Sequence, residues 1–70
     1  MTTSMQIKIN GESETIEETL TIAELVAGKG LVPERIVVEH NLEIVPKDKW
    51  RDVILSNEDS LEIISFVGGG

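Results

Sequence analysis

Asn10-Gly11 constrains the fold of this chain more than any other pair of neighbours. Both residue types tolerate positive φ, and side by side they form the two-residue turn that folds a strand back on itself. Before the turn, residues 5–9 read Met-Gln-Ile-Lys-Ile, which places Met5, Ile7 and Ile9 on one face of a half-buried strand. After it, residues 12–18 return as a second strand with Ile16 as the main apolar contact. That segment is acidic and weakly alternating, as suits a sheet edge.

A change of period follows. Thr21-Ile22-Ala23-Glu24 fits a capping box, in which the threonine oxygen meets the Glu24 N–H and the glutamate reaches back. Ile22, Leu25 and Val26 then fall at i, i+3 and i+4 on one helical stripe. Gly28 and Gly30 supply stop signals, and Pro33 blocks continuation, so the spacing predicts a short helix over 22–28. Residues 35–39, centred on Ile36-Val37-Val38, read as a third strand, with Asn41-Leu42 turning the chain. Residues 43–45 form a short extended piece ended by Pro46, which lacks an N–H and belongs at a sheet edge. Residues 47–55 read as a turn or single helical turn anchored by Trp50, 56–60 as a surface turn and 61–67 as the final strand.

The first and last strands are the most apolar and are expected to pair at the sheet centre. One helix across one face of a mixed sheet of four to five strands is an α+β architecture, here of the ubiquitin-like β-grasp type. The expected organisation is a β-grasp domain over residues 1–67, followed by a flexible tail over 68–70. With 70 residues the chain has room for one domain and a modest core, which favours a carrier or binding module over an enzyme with a roomy cavity.

Composition removes further classes. The absence of cysteine excludes disulfides, thiolate catalysis and cysteine metal sites. A formal net charge of −7 disfavours nucleic acid and favours steering toward a basic partner surface. No apolar stretch is long enough to span a membrane, and the first residues lack the pattern of a secretory signal, so a cytoplasmic location is expected.

Several residues invite chemical readings that their spacing does not support. His40 is the single histidine and cannot form a standard zinc site alone; a turn or surface histidine is expected. Glu12, Glu14 and Glu18 share a strand face without calcium-loop spacing, so a solvated edge is expected. Gly28-Lys29-Gly30 follows a helix rather than opening one and lacks phosphate-loop spacing. Trp50 is expected to seal the core under residues 46–55.

The chain closes with Leu61-Glu62-Ile63-Ile64-Ser65-Phe66-Val67 and then Gly68-Gly69-Gly70. Bare glycines after a strand present an α-carboxylate on a thin stalk that fits narrow channels. Four residues, 67–70, extend roughly 13 Å. Together with Val38-Glu39-His40-Asn41, Ile44-Val45-Pro46-Lys47, Trp50, Leu55, Asp59 and Leu61-Glu62-Ile63, this ending resembles the ThiS family of thiamin-biosynthesis sulfur carriers. The resemblance covers nearly the whole chain. The family commonly has glycine where Leu42 stands, and an Asp-Gly-Asp-like turn where Asn57-Glu58-Asp59 stands.

The resemblance implies a non-enzymatic carrier that binds no cofactor or metal of its own. A ThiF-like adenylating enzyme, using ATP and Mg, would activate Gly70 as an acyl-adenylate. Sulfur from a donor such as a cysteine desulfurase would then convert it to a thiocarboxylate, which a ThiG-like thiazole synthase consumes. Val67, Gly68, Gly69 and Gly70 would thread into partner sites. Docking is expected around the last strand, at Phe66, with Asp59 and Glu62 on an acidic rim. A monomer is expected when free. Two other readings share the tail: a molybdopterin-synthase-type sulfur carrier and a ubiquitin-like protein modifier. A β-grasp domain with inert glycines is a third.

Overall fold

The computed structural model describes residues 3–66, in the order β1 (Ser4–Ile9), β2 (Glu12–Glu17), α1 (Ile22–Gly28), β3 (Ile36–His40), β4 (Glu43–Val45) and β5 (Ser60–Ser65). Two 3-10 turns, Pro33–Arg35 and Lys47–Asp52, complete the described elements. The expected tail over 68–70, and the expected extension of the last strand to Val67, lie outside the described residues.

The first hairpin forms as its turn dictates. Asn10 has φ 53° and Gly11 φ 84°, both left-handed, and the register runs from Ile9 opposite Glu12 to Ser4 opposite Glu17. β1 also pairs with β5 in parallel, Ile9 opposite Leu61, and β3 pairs with β5 antiparallel. The five-stranded order is therefore β2-β1-β5-β3-β4, which puts the last strand at the centre. The short β4 takes one edge and stops before Pro46, where a missing N–H costs no ladder bond.

Helix α1 spans the predicted residues. Thr21 accepts from the Glu24 N–H at 3.1 Å while its own N–H donates to Glu24 Oε1 at 2.9 Å, so the capping box closes in both directions. The helix buries Ile22, Leu25 and Val26 against Ile7, Ile9, Ile16, Ile36, Val38 and Leu61 of the sheet. Ile7, Ile22, Val26, Val38 and Leu61 are almost wholly buried, each contributing roughly 1.5–3 kcal/mol.

Residues 47–55 cover the end of this core. Trp50 is buried, and its indole N–H donates to the Val45 carbonyl at 2.8 Å. The same segment is stitched to the start of the helix. The Ile22 N–H donates to Val53 O at 3.1 Å and the Leu55 N–H to Leu20 O at 2.8 Å.

Two boundaries that place side chains differ from the sequence reading. β3 starts at Ile36, because Pro33–Arg35 form a 3-10 turn first. β2 ends at Glu17, leaving Glu18 in a turn rather than on a shared face with Glu12 and Glu14. Glu14 instead binds the Lys29 ammonium at 2.8 Å, joining the edge strand to the residue that caps the helix. That capping role agrees with reading Gly28-Lys29-Gly30 as a helix end, and Gly30 takes φ 69°.

Candidate functional site

The central strand carries the chain out of the domain. The Phe66 N–H donates to the Arg35 carbonyl at 3.0 Å, and beyond this bond come residues 67–70. Phe66 is about half exposed, beside a shallow groove also lined by Leu31, Val32 and Arg35. Val67, Gly68, Gly69 and Gly70, to which the sequence assigns the threading tail, lie outside the described residues.

The sheet face away from the helix follows from strand parity. β3 turns Ile36 and Val38 inward, so Val37 and Glu39 face out; β5 buries Leu61, so Glu62 and Ile64 face out. Cross-strand register joins them: Val37 lies opposite Ile64, Glu39 opposite Glu62, and Glu39 again opposite Ile44 on β4. Ile44 is 65% exposed and Ile64 50%. The outer face thus carries apolar side chains around two adjacent carboxylates. Phe66 and Glu62, which the sequence reading assigns to docking, are both exposed, Glu62 within β5 and Phe66 just after it. The sequence reading did not single out Glu39, Ile44 or Ile64 for this face, although the alternation in 35–39, 43–45 and 61–67 places them on it.

Asp59 requires correction. It is not on an acidic rim but 9% exposed, beneath the start of β5. Its Oδ2 accepts from the Ser56 N–H at 2.8 Å and lies 2.7 Å from His40 Nε2; its Oδ1 accepts from Asn41 Nδ2 at 3.1 Å. Burial pushes the Asp59 carboxyl up, but the hydrogen bonds from His40, Ser56 and Asn41 outweigh it and hold the group below the usual aspartate range. The neighbouring Ser56, Asn57, Glu58 and Ser60 are exposed as the sequence predicts. His40 is likewise no free turn residue. It ends β3, is half-buried, and is held by Asp59. Asn41 completes the knot by accepting from the Ser60 N–H at 2.9 Å. This network lies at the start of β5, the end opposite to Phe66, so it fastens the β3–β4 hairpin rather than serving the chain end. Among the described residues no group of histidine, aspartate and glutamate could hold a metal ion.

The ThiS family model matches residues 6–70. The chain belongs to the ThiS family. It is 37% identical over 65 residues to the sulfur carrier protein ThiS of Bacillus subtilis, covering 91% of this chain and 98% of that one. It is also 39% identical over 66 residues to a thiazole synthase of Paramagnetospirillum magneticum, covering 94% of this chain but 20% of that protein. A crystal structure of the thiamine biosynthesis protein ThiS from Geobacter metallireducens superposes with a TM-score of 0.81 at 28% identity, covering 94% of this chain and all of that one. The β-grasp assignment holds at this likeness. The chain spans about a fifth of the length of the thiazole synthases it matches. Two positions where the family commonly has glycine, Leu42 and Glu58, have φ 74° and 70°, so the backbone keeps a glycine conformation without glycine.

Among the described residues no helix is long and apolar enough to cross a membrane.

Proposed function

We propose that this protein is a sulfur carrier for formation of the thiamin thiazole ring, itself uncatalytic and acted on at Gly70. The observation that carries this reading is the family match through Gly70, together with 98% coverage of a Bacillus sulfur carrier. A carboxylate is a poor electrophile because its oxygen leaves reluctantly. A ThiF-like enzyme overcomes this by letting a Gly70 carboxylate oxygen attack the α-phosphorus of ATP and expel pyrophosphate. The terminal sulfur of the donor's persulfide then attacks the acyl carbon and AMP leaves; a thiol next attacks the resulting acyl disulfide, breaking its sulfur–sulfur bond to release the thiocarboxylate and a new disulfide. The thiocarboxylate passes its sulfur to a thiazole synthase. That the matched thiazole synthases contain a stretch like this chain supports such an acceptor.

The domain supplies an address and a reactive end in this scheme, while ATP and Mg stay with the activating enzyme. A cytoplasmic setting follows from where such partners work.

Intact-mass analysis after incubation with ATP, Mg, the adenylating enzyme, a cysteine desulfurase, cysteine and a thiol reductant tests the reading. One oxygen replaced by sulfur is expected, followed by thiazole phosphate formation with the synthase. Conjugates on protein lysines would favour a modifier. Thiocarboxylate that feeds molybdopterin synthase but no thiazole synthase would reassign the pathway. No mass change would leave the glycines inert.

A further inference from the structure

Asn10 hooks the first hairpin to the central strand at two successive points. Its backbone N–H donates to Leu61 O at 2.9 Å. Its side-chain Oδ1 accepts from the Ile63 N–H at 2.8 Å, and its Nδ2 donates to the Ile63 carbonyl at 3.2 Å. Gly11 follows, exposed, at φ 84°, with no atom beyond its chain neighbours within 4 Å of the space a Cβ would fill. An asparagine before glycine carries its own reaction, because the next backbone nitrogen can attack Cγ and a bare glycine leaves that nitrogen unshielded. The other two asparagines also hold a backbone N–H, Asn41 that of Ser60 at 2.9 Å and Asn57 that of Gln6 at 3.0 Å. Leu42 and Glu58 follow them, and a side chain there obstructs the same attack.

We propose that Asn10-Gly11 is a site of spontaneous deamidation, closed while the Asn10 amide holds Ile63 and opened when the first hairpin loosens. The Gly11 nitrogen attacks Asn10 Cγ; a carbon–nitrogen bond forms, and Nδ2 departs as ammonia, taking the proton that Gly11 gives up. Water then opens the cyclic succinimide. Attack at Cγ leaves aspartate; attack at the α-carbonyl leaves isoaspartate, in which the main chain runs through Cβ and Cγ. Nothing is oxidised or reduced: an amide and a water become a carboxylate and ammonium.

Closing the ring swings Cγ toward Gly11 and draws both amide atoms off Ile63, leaving an N–H and a carbonyl of the central strand unpaired. The folded chain therefore resists the reaction. β2 is an edge strand, paired on one side only, so local opening of the hairpin supplies the reactive state. The products cannot rebuild the clasp. A carboxylate has no hydrogen to donate to the Ile63 carbonyl. Isoaspartate also lengthens a turn whose two residues set Ile9 opposite Glu12. The lesion thus loosens β5, the strand that leads to Phe66. The reaction needs no partner protein and stands whether or not Gly70 carries sulfur.

Peptide mapping by mass spectrometry of the full chain, aged for days in mildly alkaline buffer, tests this. A gain of about one dalton at Asn10, as a mixture of aspartate and isoaspartate, is expected while Asn41 and Asn57 stay intact. In guanidinium chloride the rate at Asn10 should rise at least about tenfold, because the Ile63 bonds are gone. Ile16→Val removes a buried methyl from β2 without touching Asn10, and should speed the reaction in the folded chain by about twofold to tenfold. The deamidated fraction, separated by its extra negative charge, should melt below the unmodified protein. An Asn10 that stays intact in denaturant would overturn the proposal, as would faster loss at Asn41 or Asn57. Equal rates in native buffer and in denaturant would remove Ile63 as the gate. An unchanged rate in Ile16→Val, with its melting temperature lowered, would rule out hairpin opening as the trigger.

Discussion

The Asn10 side chain takes the place of a strand residue opposite Ile63. Its Oδ1 accepts from the Ile63 N–H at 2.8 Å and its Nδ2 donates to the Ile63 carbonyl at 3.2 Å. β1 turns away into its hairpin at this point, so the amide continues the ladder that the backbone abandons. One residue therefore shapes the turn with its φ and stabilises the central strand with its side chain.

Asn10→Gly should keep the turn but lose both bonds, leaving two backbone groups of β5 to water. A loss of about 1–3 kcal/mol is expected, measured by urea unfolding. Asn10→Asp should retain the accepting half and fall between the two. An unchanged midpoint for Asn10→Gly would show that the ladder needs no amide.

Leu42 is 86% exposed at φ 74°. Left-handed backbone costs a residue with a Cβ roughly 1–2 kcal/mol. Leu42→Gly should stabilise the protein by about 0.5–1 kcal/mol, the remainder being lost to the freer unfolded chain. Glu58→Gly, at φ 70°, should act the same way, and thermal melts of both variants would read the gain.

Asp59 makes stability depend on acid. Its folded pKa is lowered, so its contribution is present above the unfolded value and disappears as pH falls through the folded one. Asp59→Asn should cost about 1–3 kcal/mol near neutrality, because an amide cannot accept from all three donors. The gap between wild type and variant should begin to narrow as pH falls through about 4, where the unfolded chain's aspartate takes up its proton, and close only below the lowered folded value. A constant gap from pH 7 to strong acid would contradict this account.

The proposed chemistry predicts a steric limit at the chain end. Gly69→Ala should slow adenylation by at least about tenfold without altering the melting temperature, since a Cβ would meet the walls of a channel fitted to glycine. A chain with one residue appended beyond Gly70 should deliver no sulfur until that residue is removed. Single-turnover adenylation and intact mass read both effects.

Much of this fold was legible because its signals are local. The Asn10-Gly11 turn, the Thr21–Glu24 capping box and the Ile22-Leu25-Val26 stripe each act within four residues, and each element formed where expected. The Pro33–Arg35 turn was less legible: Pro33 reads equally as the end of one element and the start of another.

The sequence by itself determined the elements, the apolar strands that meet at the sheet centre and the family, since turn chemistry, periodicity and a spaced set of residues suffice for these. Tertiary structure alone decided the fate of the acidic side chains. Asp59 looks like any turn carboxylate until His40 and Asn41, both from the β3–β4 hairpin, close over it. Glu39 and Glu62 are 23 positions apart and become neighbours only through the β3–β5 register. Burial and charge pairing depend on which distant strand lies alongside, and that is fixed by the packing of the whole sheet against its helix.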